Sequence, residues 1–361
     1  MANKSKIIIA TGGTGGHIFP SVALSDHLKN KFEVEMFSDK RGMKYLKKEK
    51  NIKQINTETI FQKNIIKSII NLNKILFSTI SSFFYLKKTK PIIVFGMGGY
   101  SSFPVCLASY FLKIPFVIYE NNLILGRANR VLLPFANKIL LSTKDTSGIR
   151  QKYKNKTFVS GYLLRKEIFD IKKEESFENN KVLSILIIGG SQSAKIFGEQ
   201  IPKVIEKCKI KKIEFNIFQQ CLDSQKKEIE EIYRKNQINY KLFSFSDNLT
   251  EHYKNSDLAI TRAGASSLAE LINLRIPFIA IPLPSSTDNH QLKNAQNFEK
   301  KGYCRLLDEK FVTSKLFETL EDFNKNRKKL FFIKTKMDEH SDKNSIYNVD
   351  KFIEKFLNEK N

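Results

Sequence analysis

Three glycine-rich turns carry the residue types that let a backbone close around a phosphate. The first is Thr11-Gly12-Gly13-Thr14-Gly15-Gly16-His17, the second Gly96-Met97-Gly98-Gly99-Tyr100-Ser101-Ser102, and the third Gly189-Gly190-Ser191-Gln192-Ser193. Each follows a short β-branched run and precedes a helical pattern. A helix start exposes unpaired N–H groups and partial positive charge. Glycine lets the backbone approach an anion closely and reach positive φ. The turns therefore suit a phosphate or sugar-phosphate ligand. His17, at the end of the first turn, carries an imidazole whose ordinary pKa suits a general base; a positioning role at the helix start is the alternative. Glu120 is a second candidate base.

Two other phosphate-binding chemistries fit less well. The chain has no GxxxxGK[ST], so it is not a P-loop nucleotidase. A dinucleotide fingerprint starting at Gly13 and Gly15 would place its last glycine on Ile18. Asp39, near the end of the second predicted strand, stands where a ribose-binding acid belongs in a dehydrogenase and leaves that reading only weakly open. No DxD occurs, so a metal-bridged diphosphate is not indicated and no metal or cofactor is expected. His27, His252 and His340 lack ligand-like spacing and read as surface or core residues.

The elements that position these turns follow a βαβ grammar. Ile7 to Ile9 reads as a buried strand, Pro20 to Lys29 as a helix with Pro20 near its first turn, and Phe32 to Phe37 as the next strand. Strands at Ile92–Phe95 and Ile185–Ile188 feed the other two turns. Farther on, Phe215–Phe218, Leu258–Ile260 and Phe278–Ile281 read as strands, Ser224–Asn236 as a charged helix, and the tail from Val312 as helical. The charged stretch Lys166–Lys181 reads as a domain junction. These patterns predict an α/β protein: two Rossmann-like domains, with parallel sheets facing a central cleft and ligands at the strand C-termini.

Composition narrows the partners. The 361 residues suit about two domains. With 61 basic and 37 acidic residues, the net charge of +24 favours a polyanion: nucleic acid, an anionic membrane or a phosphorylated substrate. No RNP, zinc-finger or helix-turn-helix signature appears, so nucleic acid is not expected. Four dispersed cysteines without CxxC suit a reducing compartment. The N-terminal apolar run is too short for a signal peptide. The uncharged stretch Pro91–Leu112 is broken by Gly96, Gly98, Gly99 and Pro104, so it reads as strand, loop and helix. A soluble or peripheral protein is expected. From Phe61 to Lys90, Ile65, Ile69, Leu72, Leu76, Ile80 and Phe83 recur at steps of three and four among Lys63, Lys67, Lys74, Lys87, Lys88 and Lys90. Such a basic amphipathic segment either sits on an anionic leaflet or packs on the sheet as a crossover helix.

At the level of motifs, Gly12–Pro20, Gly96–Pro104 and Gly189–Ala194 resemble, in order, the three glycine loops of the MurG family, over nearly the whole chain. The resemblance implies a GT-B fold: an acceptor and membrane-associated domain at 1–163, a UDP-GlcNAc-binding domain at 164–343, and a last helix, about 344–361, packing back on the first. It implies inverting transfer of GlcNAc from UDP-GlcNAc to the 4-hydroxyl of the muramyl sugar of lipid I, giving lipid II for the cell wall. Another glycolipid-directed UDP-sugar transferase is the alternative. The implied setting is peripheral, on the cytoplasmic face of the inner membrane, with cell-wall synthesis proteins as partners. Position by position, Thr14, Gly15 and Gly16 match the loop meeting the donor sugar and diphosphate, Asn122 a donor-sugar contact, Arg165 an arginine near the donor phosphates and Ser191 a diphosphate ligand. Ser246 matches a backbone contact to uracil. Ala265, Ser266, Ser267, Leu268, Ala269 and Glu270 match the nucleotide cradle, with Glu270 on the ribose, and Gln291 reads the GlcNAc hydroxyls. Ser193 and Phe103 replace family glycines; a positive φ at Ser193 would cost about 1 kcal/mol. Ser246 stands where an aliphatic residue is usual, and His290 where a glutamine is common.

Overall fold

The computed structural model describes residues 4–47, 49–57, 65–171, 182–244 and 249–358. The chain forms two compact units, Met1–Arg165 with Asp342–Asn361, and Lys166–Ser341.

In the first unit the strands are β1 (Lys6–Ala10), β2 (Glu33–Ser38), β3 (Ile52–Gln54), β4 (Ile93–Gly96), β5 (Phe116–Glu120), β6 (Lys138–Leu141) and β7 (Thr157–Val159). Helices α1 (Gly15–Leu28), α2 (Lys40–Met43), α3 (Ile65–Thr89), α4 (Ser102–Phe111) and α5 (Arg127–Leu132) alternate with them. The sheet is parallel throughout, in the order β3-β2-β1-β4-β5-β6-β7. Helices cover both its faces, so the central strands are apolar on both sides rather than alternating. Ile7 and Ile9 enter one core while Ile8 and Ala10 enter the other.

The second unit begins with α6 (Lys166–Asp170) and then runs β8 (Leu183–Ile188), α7 (Gly190–Ile210), β9 (Phe215–Gln220), α8 (Lys226–Lys235), β10 (Asn239–Phe243), α9 (Leu249–Lys254), β11 (Leu258–Thr261), α10 (Ala265–Asn273), β12 (Phe278–Ala280), α11 (His290–Lys300), β13 (Cys304–Leu306), α12 (Val312–Lys325) and α13 (Arg327–Met337). Its sheet is also parallel, in the order β10-β9-β8-β11-β12-β13. In both sheets the order reverses beside the first strand, between β1 and β4 and between β8 and β11. Loops there diverge to opposite faces and leave a crevice at the strand C-termini.

Helix α14 (Ser345–Asn358) returns to the first unit, placing Val349, Phe352, Ile353 and Phe356 in the same core as Ile7, Leu24 and Leu163. Phe352 lies 5.3 Å from Phe158, and Asp350 pairs with His27 at 2.8 Å, which accounts for that histidine. His252 is buried and stacks on Phe243 at 4.3 Å; burial pushes its pKa down. All four cysteines are free and buried, and burial raises their thiol pKa values, that of Cys208 to about 12.

Several boundaries move from the sequence reading. Helix α1 begins at Gly15, not Pro20, so the first loop is only four residues long. Ser193 lies inside α7 and Phe103 inside α4, both helical, so neither carries the left-handed penalty anticipated for Ser193; Gly190, Gly98 and Gly99 hold the positive φ values of those turns. The stretch Pro91–Leu112 is strand, loop and helix. Most of Lys166–Lys181 lies outside the described residues.

Helix α3 is the largest departure from ordinary crossover packing. Ser68–Thr89 is long and apolar enough to cross a membrane by length and composition, though a third of it is buried. Its inward face carries Asn71, Ile75, Ser78, Thr79, Ser82 and Leu86, and Ser78 donates to Asn56 O at 2.9 Å. Ile69, Leu72, Leu76, Phe77, Ile80 and Phe84 are exposed instead. Four residues of the predicted stripe, Ile69, Leu72, Leu76 and Ile80, therefore face outward, while Phe83 packs against the core. This inverts the pattern of a soluble surface helix.

The packing of α14 yields a stability prediction. Truncating Phe352 to Ala removes a buried ring from the core and should cost about 3–5 kcal/mol. Urea denaturation followed by near-UV dichroism measures it; a loss under about 1 kcal/mol would mean α14 contributes little to that core.

Candidate functional site

The first site stands at the β1/β4 reversal. Strand β1 ends at Ala10, and Met97 N donates to Ala10 O at 2.8 Å, which brings the first two glycine turns side by side. A Cβ on Gly99, at φ +77°, would fall 2.6 Å from Gly12 O. The turns thus touch backbone to backbone, a separation open only to glycine. A Cβ on Gly98, at φ +88°, would lie 2.6 Å from His17 Nδ1, so the half-buried imidazole rests on the second turn. Thr14 is the exposed N-cap of α1. Gly15 and Gly16 precede the first N–H that closes back on the turn, His17 to Thr14 O at 3.1 Å. Their amides belong to the first turn, whose N–H groups look outside the helix for an acceptor, and suit an anion.

Asp39 is an anchor. It is 2 % exposed, and Oδ1 accepts from Gly13 N at 3.0 Å and Gly42 N at 2.8 Å while Oδ2 pairs with Arg41 at 3.2 Å. The ribose-binding role is thereby overturned: this acid is spent on the loop. Glu120 is likewise displaced as a base. At 1 % exposed, its carboxylate accepts from Asn122 N, Asn122 Nδ2, Gly126 N and Asn129 Nδ2 at 2.7–3.1 Å. It organises the turn after β5 and orients the Asn122 amide. Arg165 lies with its guanidinium 4.8 Å from the Phe19 ring, beside α1. Thr14, Gly15, Gly16, His17, Asn122 and Arg165 thus share the β1–β4–β5 end of the first unit.

The second site stands at the β8/β11 reversal. Helix α7 starts at Gly190, φ +67°, and Ser191 falls in its first turn; Gly190 N donates to Gln220 Oε1 at 3.1 Å. After β11, Gly264 caps α10, and Leu268 N closes on Gly264 O at 3.0 Å, so the amides of Ala265, Ser266 and Ser267 are those of the helix's first turn, where anions bind. Leu268 and Ala269 are fully buried core residues. Glu270 is 4 % exposed and accepts from Tyr253 OH at 2.8 Å. Gln291 Oε1 accepts from both Ala263 N at 3.2 Å and Leu283 N at 3.0 Å, so its Nε2 is the end left to read a ligand. His290 Nδ1 engages Thr287 O at 2.7 Å. Ser246 lies outside the described residues.

Sequence reasoning missed the supports behind this site. Arg262 is 5 % exposed, donates to Ile281 O and Pro282 O at 3.2 Å, pairs with Glu309, and lies 4.7 Å from the Phe197 ring. Burial pulls its pKa down and Glu309 opposes that pull. Asn294 donates to Ala263 O at 3.1 Å. These groups fasten the turns after β11 and β12 together. The Thr261–Gly264 run signals a turn in sequence; nothing local reveals where its arginine points. Among the described residues no group of three or more His, Cys, Asp or Glu is arranged to hold a metal.

Two parallel α/β units in one chain, each with helix starts beside the point where its strand order reverses, make up the GT-B class of fold. The N-terminal and C-terminal domains of glycosyltransferase family 28 match residues 7–141 and 184–351. The UDP-N-acetylglucosamine–N-acetylmuramyl-(pentapeptide) pyrophosphoryl-undecaprenol N-acetylglucosamine transferase of Pelagibacter ubique is 35% identical, over 99% of each chain. The protein of the same name from Rickettsia bellii is 39% identical over 88% of this chain and 91% of its own. The crystal structure of Acinetobacter baumannii MurG matches with a TM-score of 0.76 at 27% identity, covering 97% and 99% of the two chains. The S. aureus MnaA–UDP structure, at 14% identity and a TM-score of 0.71, shares the fold. The chain belongs to the MurG family of glycosyltransferases.

Glycine geometry separates two substitutions. Gly98→Ala meets both the positive φ and the His17 ring and should cost about 1–2 kcal/mol. Gly264→Ala, at φ −69° with nothing within 4 Å of the added Cβ, should stay within about 1 kcal/mol of the parent. Paired urea titrations check this; equal effects would remove the steric account of Gly98.

Proposed function

We propose that the chain transfers N-acetylglucosamine from UDP-GlcNAc to the 4-hydroxyl of the N-acetylmuramyl sugar of undecaprenyl-pyrophosphoryl-MurNAc-pentapeptide, with inversion at the anomeric carbon. The product is lipid II, the lipid-linked precursor of peptidoglycan. The observation that carries this reading is His17 seated against Gly98 where two glycine turns meet, in a chain 35% identical over its length to a transferase of that name.

Transfer requires removal of the acceptor hydroxyl proton as the bond to the anomeric carbon forms, and stabilisation of charge on the departing diphosphate. In this reading His17 takes the proton. The amides of Thr14–Gly16, the α7 start at Ser191 and Arg165 meet the donor diphosphate. The α10 amides from Ala265 to Ser267 add to the nucleotide cradle, Ser246 contacts uracil, Glu270 accepts from the ribose, and Asn122 and the Gln291 amide read the sugar. In the second unit, the donor half of this reading, Gln220 gives way to the diphosphate at Gly190. Incubation with radiolabelled UDP-GlcNAc and a lipid I analogue, scored for UDP release and labelled lipid, tests the activity. His17→Ala should lower kcat by about 10²–10⁴-fold while leaving the UDP-GlcNAc KM within about twofold. Equal losses would make His17 a binding residue.

The enzyme works as a peripheral protein on the cytoplasmic face of the inner membrane, with α3 as its contact, alongside other cell-wall synthesis proteins. The support is the outward apolar face of α3, extended by exposed Tyr110 and Phe111 of the neighbouring α4 and fringed by Lys87, Lys88 and Lys90. Apolar insertion and lysine attraction, about 1 kcal/mol per lysine, combine at an anionic surface. Replacing Phe77 and Phe84 together by Ser should weaken cosedimentation with anionic vesicles more than about tenfold, and high salt should release the parent protein. Unchanged partitioning would exclude α3 as the contact.

A further inference from the structure

The hydrogen bonds around His17 extend to a residue with no role so far. Helix α1 contains Pro20 at its sixth position. Proline has no N–H, so the carbonyl four residues earlier, that of Gly16, loses its helical partner. Asn121 supplies the replacement: its Nδ2 donates to Gly16 O at 3.2 Å. Asn121 is 3 % exposed, and its own carbonyl accepts from Ser142 Oγ at 3.0 Å, which holds its backbone in place.

The orientation of that amide is dictated from behind. Leu163 N donates to Tyr119 Oη at 3.2 Å, and Tyr119 Oη lies 3.1 Å from Asn121 Oδ1. A backbone N–H can only donate, so the tyrosine oxygen accepts from Leu163 and spends its single hydrogen on Asn121 Oδ1. Asn121 must then turn its NH₂ towards Gly16. Tyr119 is 1 % exposed and burial holds its phenol neutral, well above its ordinary pKa. The chain of donors runs one way, from Leu163 through Tyr119 and Asn121 to Gly16, and has no alternative protonation.

We propose that Asn121 is a positioning residue for transfer: by capturing the carbonyl that Pro20 frees, it sets the Gly16–His17 peptide and hence the imidazole. Tyr119 and Leu163 lock its direction. Leu163 stands two residues before Arg165, so one spine of hydrogen bonds fixes the loop bearing the base and the backbone leading to the phosphate-facing arginine. The proposal rests on the transferase reading with His17 as base.

The test uses the full chain with Asn121→Asp, which sets a carboxylate oxygen against Gly16 O, and Tyr119→Phe, which keeps the buried volume and removes the lock. Asn121→Asp should lower kcat about a hundredfold, the scale of a misplacement of about 1 Å, and Tyr119→Phe about tenfold. The UDP-GlcNAc KM should change less than about threefold in both. The His17 imidazole NMR signal, identified by its loss in His17→Ala, should move in both variants. Adding Asn121→Asp to His17→Ala should cause no further loss, because the two act through one group. A stationary His17 signal in Tyr119→Phe, or multiplicative losses in the double variant, would overturn the proposal; if Asn121→Asp fails to fold, Tyr119→Phe decides it. An inactive parent protein would sink the transferase reading instead, with the NMR comparison still testing the spine.

Discussion

The first unit depends on one close approach: the backbone of Gly99 against the carbonyl of Gly12, where β1 and β4 part. Parallel strands that send their helices to opposite faces leave a crevice between their ends. Two side-chain-bearing turns would fill it. Glycines let the turns meet, and the space their missing side chains vacate receives the ring of His17. Asp39 and Glu120 then act as internal caps: Asp39 holds two backbone amides on Oδ1 and Arg41 on Oδ2, and Glu120 uses both oxygens for the amides of Asn122 and Gly126. Charge that looks available for chemistry in the sequence is consumed in holding the scaffold rigid, as a preorganised site demands.

The second unit reaches a similar end by different means. Its turns are drawn together by the buried Arg262 and by Gln291, whose single oxygen gathers two backbone amides from separate loops. A buried guanidinium is costly unless it is paired; here two carbonyls accept from Nη1, Glu309 pairs with Nη2 and the face of Phe197 lies against it, while the buried Nε has no acceptor among the described residues. The consequence is a set of strand ends beside the starts of α7 and α10 whose relative positions are fixed by side chains.

Much of this was legible beforehand because parallel α/β folds leave strong local traces. Ile7-Ile8-Ile9 read as a buried strand because both sheet faces are covered, and the glycine turns announced strand-to-helix bends. Helix starts leave weaker local traces. Pro20 suggested a first turn, whereas α1 begins five residues earlier and tolerates the proline because Asn121, about a hundred positions away in the chain, takes over the orphaned carbonyl. The α3 stripe was visible as periodicity, yet periodicity reports only that a face is apolar, not which way it turns. Burial of Asn71, Ser78 and Ser82 beneath it is a property of the neighbours.

By itself the sequence determined the two βαβ arrays, the placing of anion-binding turns at three strand ends and, through the residues of those turns, the family to which the chain belongs. Those features are local: strand and helix periods, and glycine where only glycine fits. Tertiary structure alone decided which acids remain for chemistry, which face of α3 points outward, and how Asn121 is aimed. Each of those depends on a partner remote in the chain, and a hydrogen bond or a buried contact is settled by distance in space rather than by separation in sequence.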